Sequence, residues 1–165
     1  MNYLLDSCAL LNLANGGVLA VALSLPNCNF YICNAVLREI VTNADYIKSL
    51  IKSGALKYID DNQIPAGNFM ELKEKYRLGD GETECLAFAM NQECELVFDD
   101  LAARKAAQSL FANRRVTGSI GILRTCVANN SLSETEAYGA YKVMKACGGF
   151  LPEMTMEEMF PKDKN

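Results

Sequence analysis

The chain has no histidine among its 165 residues, so chemistry that needs an imidazole is excluded, whether a Ser-His-Asp relay, a Cys-His pair or a His-ligated zinc. Carboxylates, hydroxyls, thiols and amines remain. The carboxylates occupy the informative positions. Asp6 closes the apolar run Tyr3–Leu5, and Asp99 and Asp100 close the run from Glu95 to Phe98. Glu84 stands in the first turn of a helix-like segment, with Glu82 two residues before it, and Glu39 flanks an apolar stripe of Val36, Leu37, Ile40 and Val41. Singly, each has an ordinary use: an Asp after a strand is a turn residue or N-cap, and a Glu in a first helical turn complements the helix dipole. Gathered at one edge they would repel one another, and protons or a cation would have to relieve that repulsion.

Oxygen donors without histidine favour Mg²⁺ or Mn²⁺ over Zn²⁺. Such ions keep water and open positions, which suits phosphate-ester chemistry, so phosphodiester hydrolysis is the expected reaction class. Other phosphate-handling motifs are absent. There is no GxxxxGK[ST] loop, Gly79-Asp80-Gly81 lacks the third glycine and the preceding strand of a dinucleotide fingerprint, and Asp6-Ser7-Cys8 lacks the second Asp of an aspartyl-phosphate phosphatase. Sixteen Lys and Arg against 20 Asp and Glu leave a net charge of -4, which argues against a protein that grips nucleic acid through bulk positive charge. Substrate must then be held by a local patch.

The seven cysteines are odd in number and show no CxxC spacing, so they read as small apolar fillers in a reducing cytosol. The start Met1-Asn2-Tyr3-Leu4-Leu5-Asp6 has neither the basic residues nor the long apolar stretch of a secretory signal, and no apolar run is long enough to span a membrane. The expectation is a soluble cytoplasmic protein.

Positioning these acids requires an alternation of strands and helices. Tyr3–Leu5, Asn29–Cys33, Ala55–Ile59, Glu95–Phe98 and Val116–Gly118 read as strands. Helices follow at Cys8–Leu13, after Asn34 as N-cap, through Ile47, Leu50 and Ile51 up to Gly54, at Phe69–Tyr76, from Glu82 through Met90, at Leu101–Phe111 and at Ser119–Ala128. This predicts an α/β fold with a parallel sheet flanked by helices on both faces. In such sheets functional groups gather beyond the C-terminal strand ends, where Asp6, Asp99 and Asp100 fall. From Ser131 the pattern is helix only, opened by the capping box Ser133-x-x-Glu136 and closed by an amphipathic tail from Leu151 to Phe160. The organisation expected is one domain over 1–165, with an α/β core at 1–130 and a helical extension at 131–165 whose Leu151, Met154, Met156, Met159 and Phe160 cover the core.

The ordered set Tyr3-Leu4-Leu5-Asp6-Ser7-Cys8-Ala9-Leu10, Leu37-Arg38-Glu39-Ile40, Leu78-Gly79-Asp80-Gly81-Glu82-Thr83-Glu84-Cys85-Leu86-Ala87, Leu96-Val97-Phe98-Asp99-Asp100-Leu101 and Val116-Thr117-Gly118-Ser119-Ile120-Gly121 resembles a PIN-domain protein. The tail, with Gly148-Gly149-Phe150-Leu151, is similar to a subgroup described as predicted nucleic-acid-binding PIN proteins. The resemblance implies a three-layer PIN-like fold and a Mg²⁺- or Mn²⁺-dependent endoribonuclease, often dimeric and often the toxin of a toxin-antitoxin pair. It implies Asp6, Glu39, Glu84 and Asp100 as the catalytic acids and Asp6, Glu84, Asp99 and Asp100 as metal ligands. Glu82 competes with Glu84, and the Cys-Leu-Ala that follows favours Glu84. The candidate substrate-binding residues are Ser7, Arg104, Lys105, Arg115, Thr117 and Ser119, with Arg114 and Arg124 as further basic candidates. Partners would be single-stranded RNA, an antitoxin and a second copy of the chain, with no membrane. The chain departs from the family pattern at Phe98, where many relatives carry Thr or Ser. The alternative is a non-catalytic PIN-like module that binds nucleic acid or protein; a small-molecule phosphatase is a third reading.

Overall fold

The structure is a computed structural model and describes residues 1–161. Five strands, β1 (Asn2–Leu5), β2 (Asn29–Cys33), β3 (Lys57–Ile59), β4 (Glu95–Val97) and β5 (Val116–Thr117), form an all-parallel sheet in the order β3-β2-β1-β4-β5. The central strand β1 buries three successive residues, Tyr3, Leu4 and Leu5, as expected of a strand covered on both faces. The chain walks outward from β1 through β2 to β3, then returns to lay β4 on the other side of β1 and continues to β5. The direction of winding therefore reverses between β1 and β4, and their C-terminal ends open the crevice where such sheets place ligands.

Among the described residues the connecting and flanking helices are α1 (Ser7–Asn15), α2 (Leu19–Leu23), α3 (Asn34–Glu39), α4 (Ala44–Lys52), α5 (Ala66–Tyr76), α6 (Asp80–Ala89), α7 (Leu101–Leu110), α8 (Ser119–Ala128), α9 (Glu134–Ala146) and α10 (Met156–Met159). They complete a three-layer α/β arrangement round the parallel sheet. No helix among the described residues is long and apolar enough to cross a membrane.

Three local expectations change. The stripe after β2 is two helices: α3 stops at Glu39, Ile40 turns extended and Val41 points into solvent at 87% exposure. A left-handed Asn43 (φ 59°) then restarts the chain as α4. Asn34 is the first residue of α3 instead of its N-cap; Cys33 occupies the cap, and the Asn34 amide donates to Asp61 at 2.7 Å. The short helix α2 has no counterpart in the sequence reading, because five residues between Gly17 and Pro26 are too few to show a helical period.

Beyond residue 131, both capping-box bonds form at Ser133 and Glu136, and α9 packs against α1 and α8. Met144 of α9 lies so close to Gly16 that a Cβ there would meet its side chain. Leu151 and Met159 are buried, and Met154 and Phe160 pack against the core. All seven cysteines are free thiols; Cys33, Cys85, Cys94 and Cys126 are buried as fillers, Cys28 is half-buried, but Cys8 and Cys147 are exposed.

Phe98 is fully buried and its N–H donates to the Thr117 carbonyl at 2.9 Å, so the position that departs from the family pattern is a core position here. Phe98→Ala should lower stability by about 3–5 kcal/mol in urea unfolding. A loss below about 1 kcal/mol would show that the ring is not a core element.

Candidate functional site

The site is built from strand ends and the first turns of the helices that follow them. Asp6 leaves β1 as the N-cap of α1, its Oδ1 accepting from the Ala9 N–H at 2.6 Å. Its own N–H continues the ladder onto the Val97 carbonyl at 3.2 Å, so it sits directly beside the end of β4. Asp6 is completely buried, yet its Oδ2 has no hydrogen-bond partner. Burial pushes its carboxyl well above the ordinary aspartate range; the Ala9 N–H offsets part of this, and the charges of Asp99 and Glu82 add to the rise.

Asp99 follows β4 and is held from two sides. The Asn12 amide of α1 donates to Oδ2 and the Ser119 N–H of α8 donates to Oδ1, each at 2.8 Å. Its neighbour Asp100 is exposed and caps α7 through the Ala103 N–H at 2.8 Å. Glu39, the last residue of α3, accepts from the Gly81 N–H at 2.9 Å in the first turn of α6.

The two glutamates of α6 separate. Glu82 lies half-buried toward the other acids: burial raises its carboxyl first, and the charges of Glu39 and Asp100 raise it further. Glu84 turns the other way. One of its oxygens accepts from the Ala35 N–H at 2.7 Å and the other meets Arg38 at 3.4 Å. Burial raises its carboxyl, the Ala35 N–H and Arg38 oppose that rise, and the charges of Asp61 and Asp80 add to it. Two residues apart on a helix is about 200° of rotation, so both cannot face one point. The structure thus brings Asp6, Glu39, Glu82, Asp99 and Asp100 under one another's influence and leaves Glu84 outside, clamping α3 to α6.

The expected basic patch also divides. Arg104 of α7 donates to the Phe98 carbonyl at 3.1 Å and lines a cleft of about 470 Å³ with Asp99, Thr117, Gly118 and Arg124. Lys105 is exposed on the same helix. Arg115, however, precedes β5 and pairs with Glu95 at the start of β4, at 3.8 Å. It lines a cavity with Met1, Asn2 and Arg114 at the N-terminal strand ends. That is the opposite edge of the sheet from the acids, because parallel strands put every strand start on one side. Arg124 anchors α10, donating to the Met159 and Glu158 carbonyls at 2.8 and 3.2 Å.

Ser7 opens α1 and is half-buried, whereas Thr117 reaches the 470 Å³ cleft. Ser119 is the first residue of α8, whose N-cap is Gly118. The Ser119 N–H holds Asp99, and its buried hydroxyl has no hydrogen-bond partner.

Sequence reasoning missed three residues. Asn12 reads as one polar residue inside an apolar helix, and only its partner across 87 residues reveals its use. Cys8 lies exposed at the mouth; the groups packed round its sulfur and the charges of Asp6, Glu82, Asp99 and Asp100 push its thiol up to about 12, so it stays protonated. Phe150 projects wholly into solvent.

Among the described residues, no three Asp, Glu or Cys side chains already form a set of ligands round one point. The acids are instead tied individually to backbone N–H groups, with the Asp6 Oδ2 left over. An all-oxygen donor set with an orphaned buried carboxylate oxygen fits a hard cation that keeps much of its water.

An acid centre at the winding reversal of a parallel sheet defines a class of α/β proteins suited to phosphate chemistry. The family described as DUF3368: PIN domain matches residues 2–164, and the chain belongs to it. PIN domains are generally nucleases that use divalent metal ions. No curated protein and no solved structure matches the chain.

The folded chain holds the Asp6 proton more tightly than an unfolded aspartate at its ordinary 3.8. Stability from this group is therefore fully present below that pH and is lost as pH rises through the higher folded value. Asp6→Asn removes the buried charge and keeps an acceptor for the Ala9 N–H. Without metal the variant should be about 1–2 kcal/mol more stable than the parent at neutral pH, with the gap closing toward about pH 4. Urea unfolding across pH measures this; a parent as stable as the variant at neutral pH would contradict the buried charge.

Proposed function

We propose that the chain is a Mg²⁺- or Mn²⁺-dependent endoribonuclease that hydrolyses single-stranded RNA, with Asp6, Glu39, Glu82, Asp99 and Asp100 as its acid centre. The observation that carries this reading is the desolvated Asp6 carboxylate, with a free oxygen and the charges of Asp99 and Glu82 upon it, at the β1–β4 junction. A carboxylate so placed is costly unless a cation joins it.

Asp6, Glu82, Asp99 and Asp100 would hold the ion. Bound there, Mg²⁺ or Mn²⁺ would polarise a phosphoryl oxygen and make water nucleophilic at neutral pH. Asn12 and the Ser119 N–H keep the Asp99 carboxylate fixed, so it cannot swing away as charge changes at the centre. Glu39 acts at one remove: it fastens the Gly81 N–H and sets the charge against which Glu82 sits. Arg104 has no carboxylate partner among the described residues and stands beside Asp99 in the cleft, where a phosphate would meet it. All five acids come from this chain, so neither an antitoxin nor a second copy is needed to assemble the centre.

Cleavage of a single-stranded RNA with Mn²⁺ or Mg²⁺ tests the assignment. Asp6→Asn and Glu82→Gln should lower the rate by at least about 100-fold, while Glu84→Gln and Arg115→Ala should cleave close to the parent rate. Undiminished cleavage by Asp6→Asn would refute the centre, and a loss confined to Glu84→Gln would return the third acid to Glu84. Calorimetric Mn²⁺ binding that disappears with Asp6→Asn would support the enzyme, whereas no binding at millimolar metal would support the non-catalytic module.

A further inference from the structure

A second cleft, of about 580 Å³, opens beside the acids and is lined by Cys8, Leu11, Asn12, Asp99, Asp100 and Phe150, with Leu101 between. The 470 Å³ cleft that holds Arg104 and Thr117 shares Asp99, Leu101 and Phe150 with it. Phe150 and Leu101 thus stand on the ridge between an acidic and a basic depression, 101% and 63% exposed. A Phe held wholly in water forgoes roughly 1.5–3 kcal/mol of burial, so its placement needs a reason.

The loop displays this ring firmly. Gly148 takes a left-handed turn (φ 92°), and the Gly149 N–H donates to the Met144 carbonyl at 2.9 Å. A Cβ on Gly149 would collide with the Asn12 side chain and with Met144 O, so the turn lies directly against the residue that holds Asp99. On the far side Leu151 is buried, and the Tyr141 hydroxyl donates to the Pro152 carbonyl at 2.6 Å and accepts from the Met154 N–H at 3.2 Å. Neighbours on both flanks are anchored, and the ring between them is left outward.

We propose that Phe150, with Leu101 beside it, is a stacking subsite for an unpaired nucleobase next to the phosphate engaged at the acid centre. The inference rests on the nuclease reading and adds how the substrate is held. A base has a flat apolar face and an attached anionic phosphate. The ridge offers a flat apolar face with a cationic Arg104 on one side and, on the other, acids that would hold a cation. A base must be free of its duplex partner to stack on an exposed ring, so the subsite selects single strands. The cavity at the opposite sheet edge sets Arg114 and Arg115 beside Glu93 and Glu95, with Arg115 paired to Glu95.

The test compares parent, Phe150→Ala and Phe150→Trp on a single-stranded oligoriboadenylate and on the same sequence in a duplex, with Mn²⁺. Phe150→Ala should raise KM for the single strand about 5- to 150-fold, the range expected for loss of one base–aromatic stack, with kcat much less affected, and Phe150→Trp should restore it. A fluorescent purine analogue in the strand should be quenched by the parent and by Phe150→Trp but not by Phe150→Ala. If the parent cleaves and Phe150→Ala keeps both KM and quenching, the subsite is wrong while the nuclease stands. If the parent neither binds nor cleaves the strand, the nuclease reading fails and the subsite with it. If Phe150→Ala instead lowers the sedimenting mass and leaves KM unchanged, the ridge is an interface between copies and the proposal is overturned.

Discussion

A single desolvated carboxylate governs the organisation of this molecule. Asp6 sits at the end of the central strand, buried with one oxygen satisfied and one not. Core interiors reject such a group, and charge without a partner costs several kcal/mol unless protonation or a counter-ion removes it. The protein softens that cost with two backbone N–H groups, those of Ala9 in the first turn of α1 and of Asp99 after β4, while burial still pushes the carboxyl toward its neutral form. Neither fills Oδ2. On the proposed reading a cation would meet that remaining oxygen, with the other acids beside it.

Those acids arrive through topology. The reversal of winding between β1 and β4 puts two strand ends side by side, one delivering Asp6 and the other Asp99 and Asp100. Close approach is secured by a glycine where a side chain would intrude. A Cβ on Gly118 would stand 2.9 Å from the Arg104 guanidinium and 3.1 Å from the Phe98 carbonyl, so the Asp99 carboxylate, the Arg104 head and the first turn of α8 can meet only if that position is bare. The extension after residue 131 takes part as well: α9 rests on α1, and Gly149 in the turn after it lies against Asn12, which in turn holds Asp99.

Much of this was legible in the sequence because it depends on local pattern. Apolar runs ended by acids gave the strands and the edge at which Asp6, Asp99 and Asp100 lie, and Ser133 with Glu136 marked the start of α9. The misreadings share a cause: pairing across the fold. Arg115 is close in sequence to Thr117 and Gly118, yet the parallel strand between them carries it to the opposite edge, where Glu95 takes it. Asn12 shows its purpose only against Asp99, and Phe150 stands wholly in solvent while Leu151 beside it is buried, a difference that only the fold sets.

The glutamates of α6 show why register and not composition settles such questions. Glu84 precedes Cys85, Leu86 and Ala87, all fully buried, which made it look like the acid fixed by packing. A helix face that packs tightly is turned toward a neighbouring element, here α3, where Glu84 meets the Ala35 N–H and Arg38. Glu82, the third residue of the helix, is half-buried and keeps a carboxylate pressed by Glu39 and Asp100 and eased by backbone N–H groups of its own turn. An acid held by a full set of partners stabilises a fold; an acid held by like charges is stabilised only when something cationic arrives. Both glutamates of α6 feel like charges and backbone N–H groups, and what separates them is direction: Glu84 meets α3 through the Ala35 N–H and Arg38, while Glu82 lies under the charges of Glu39 and Asp100, which is why the proposed centre takes Glu82.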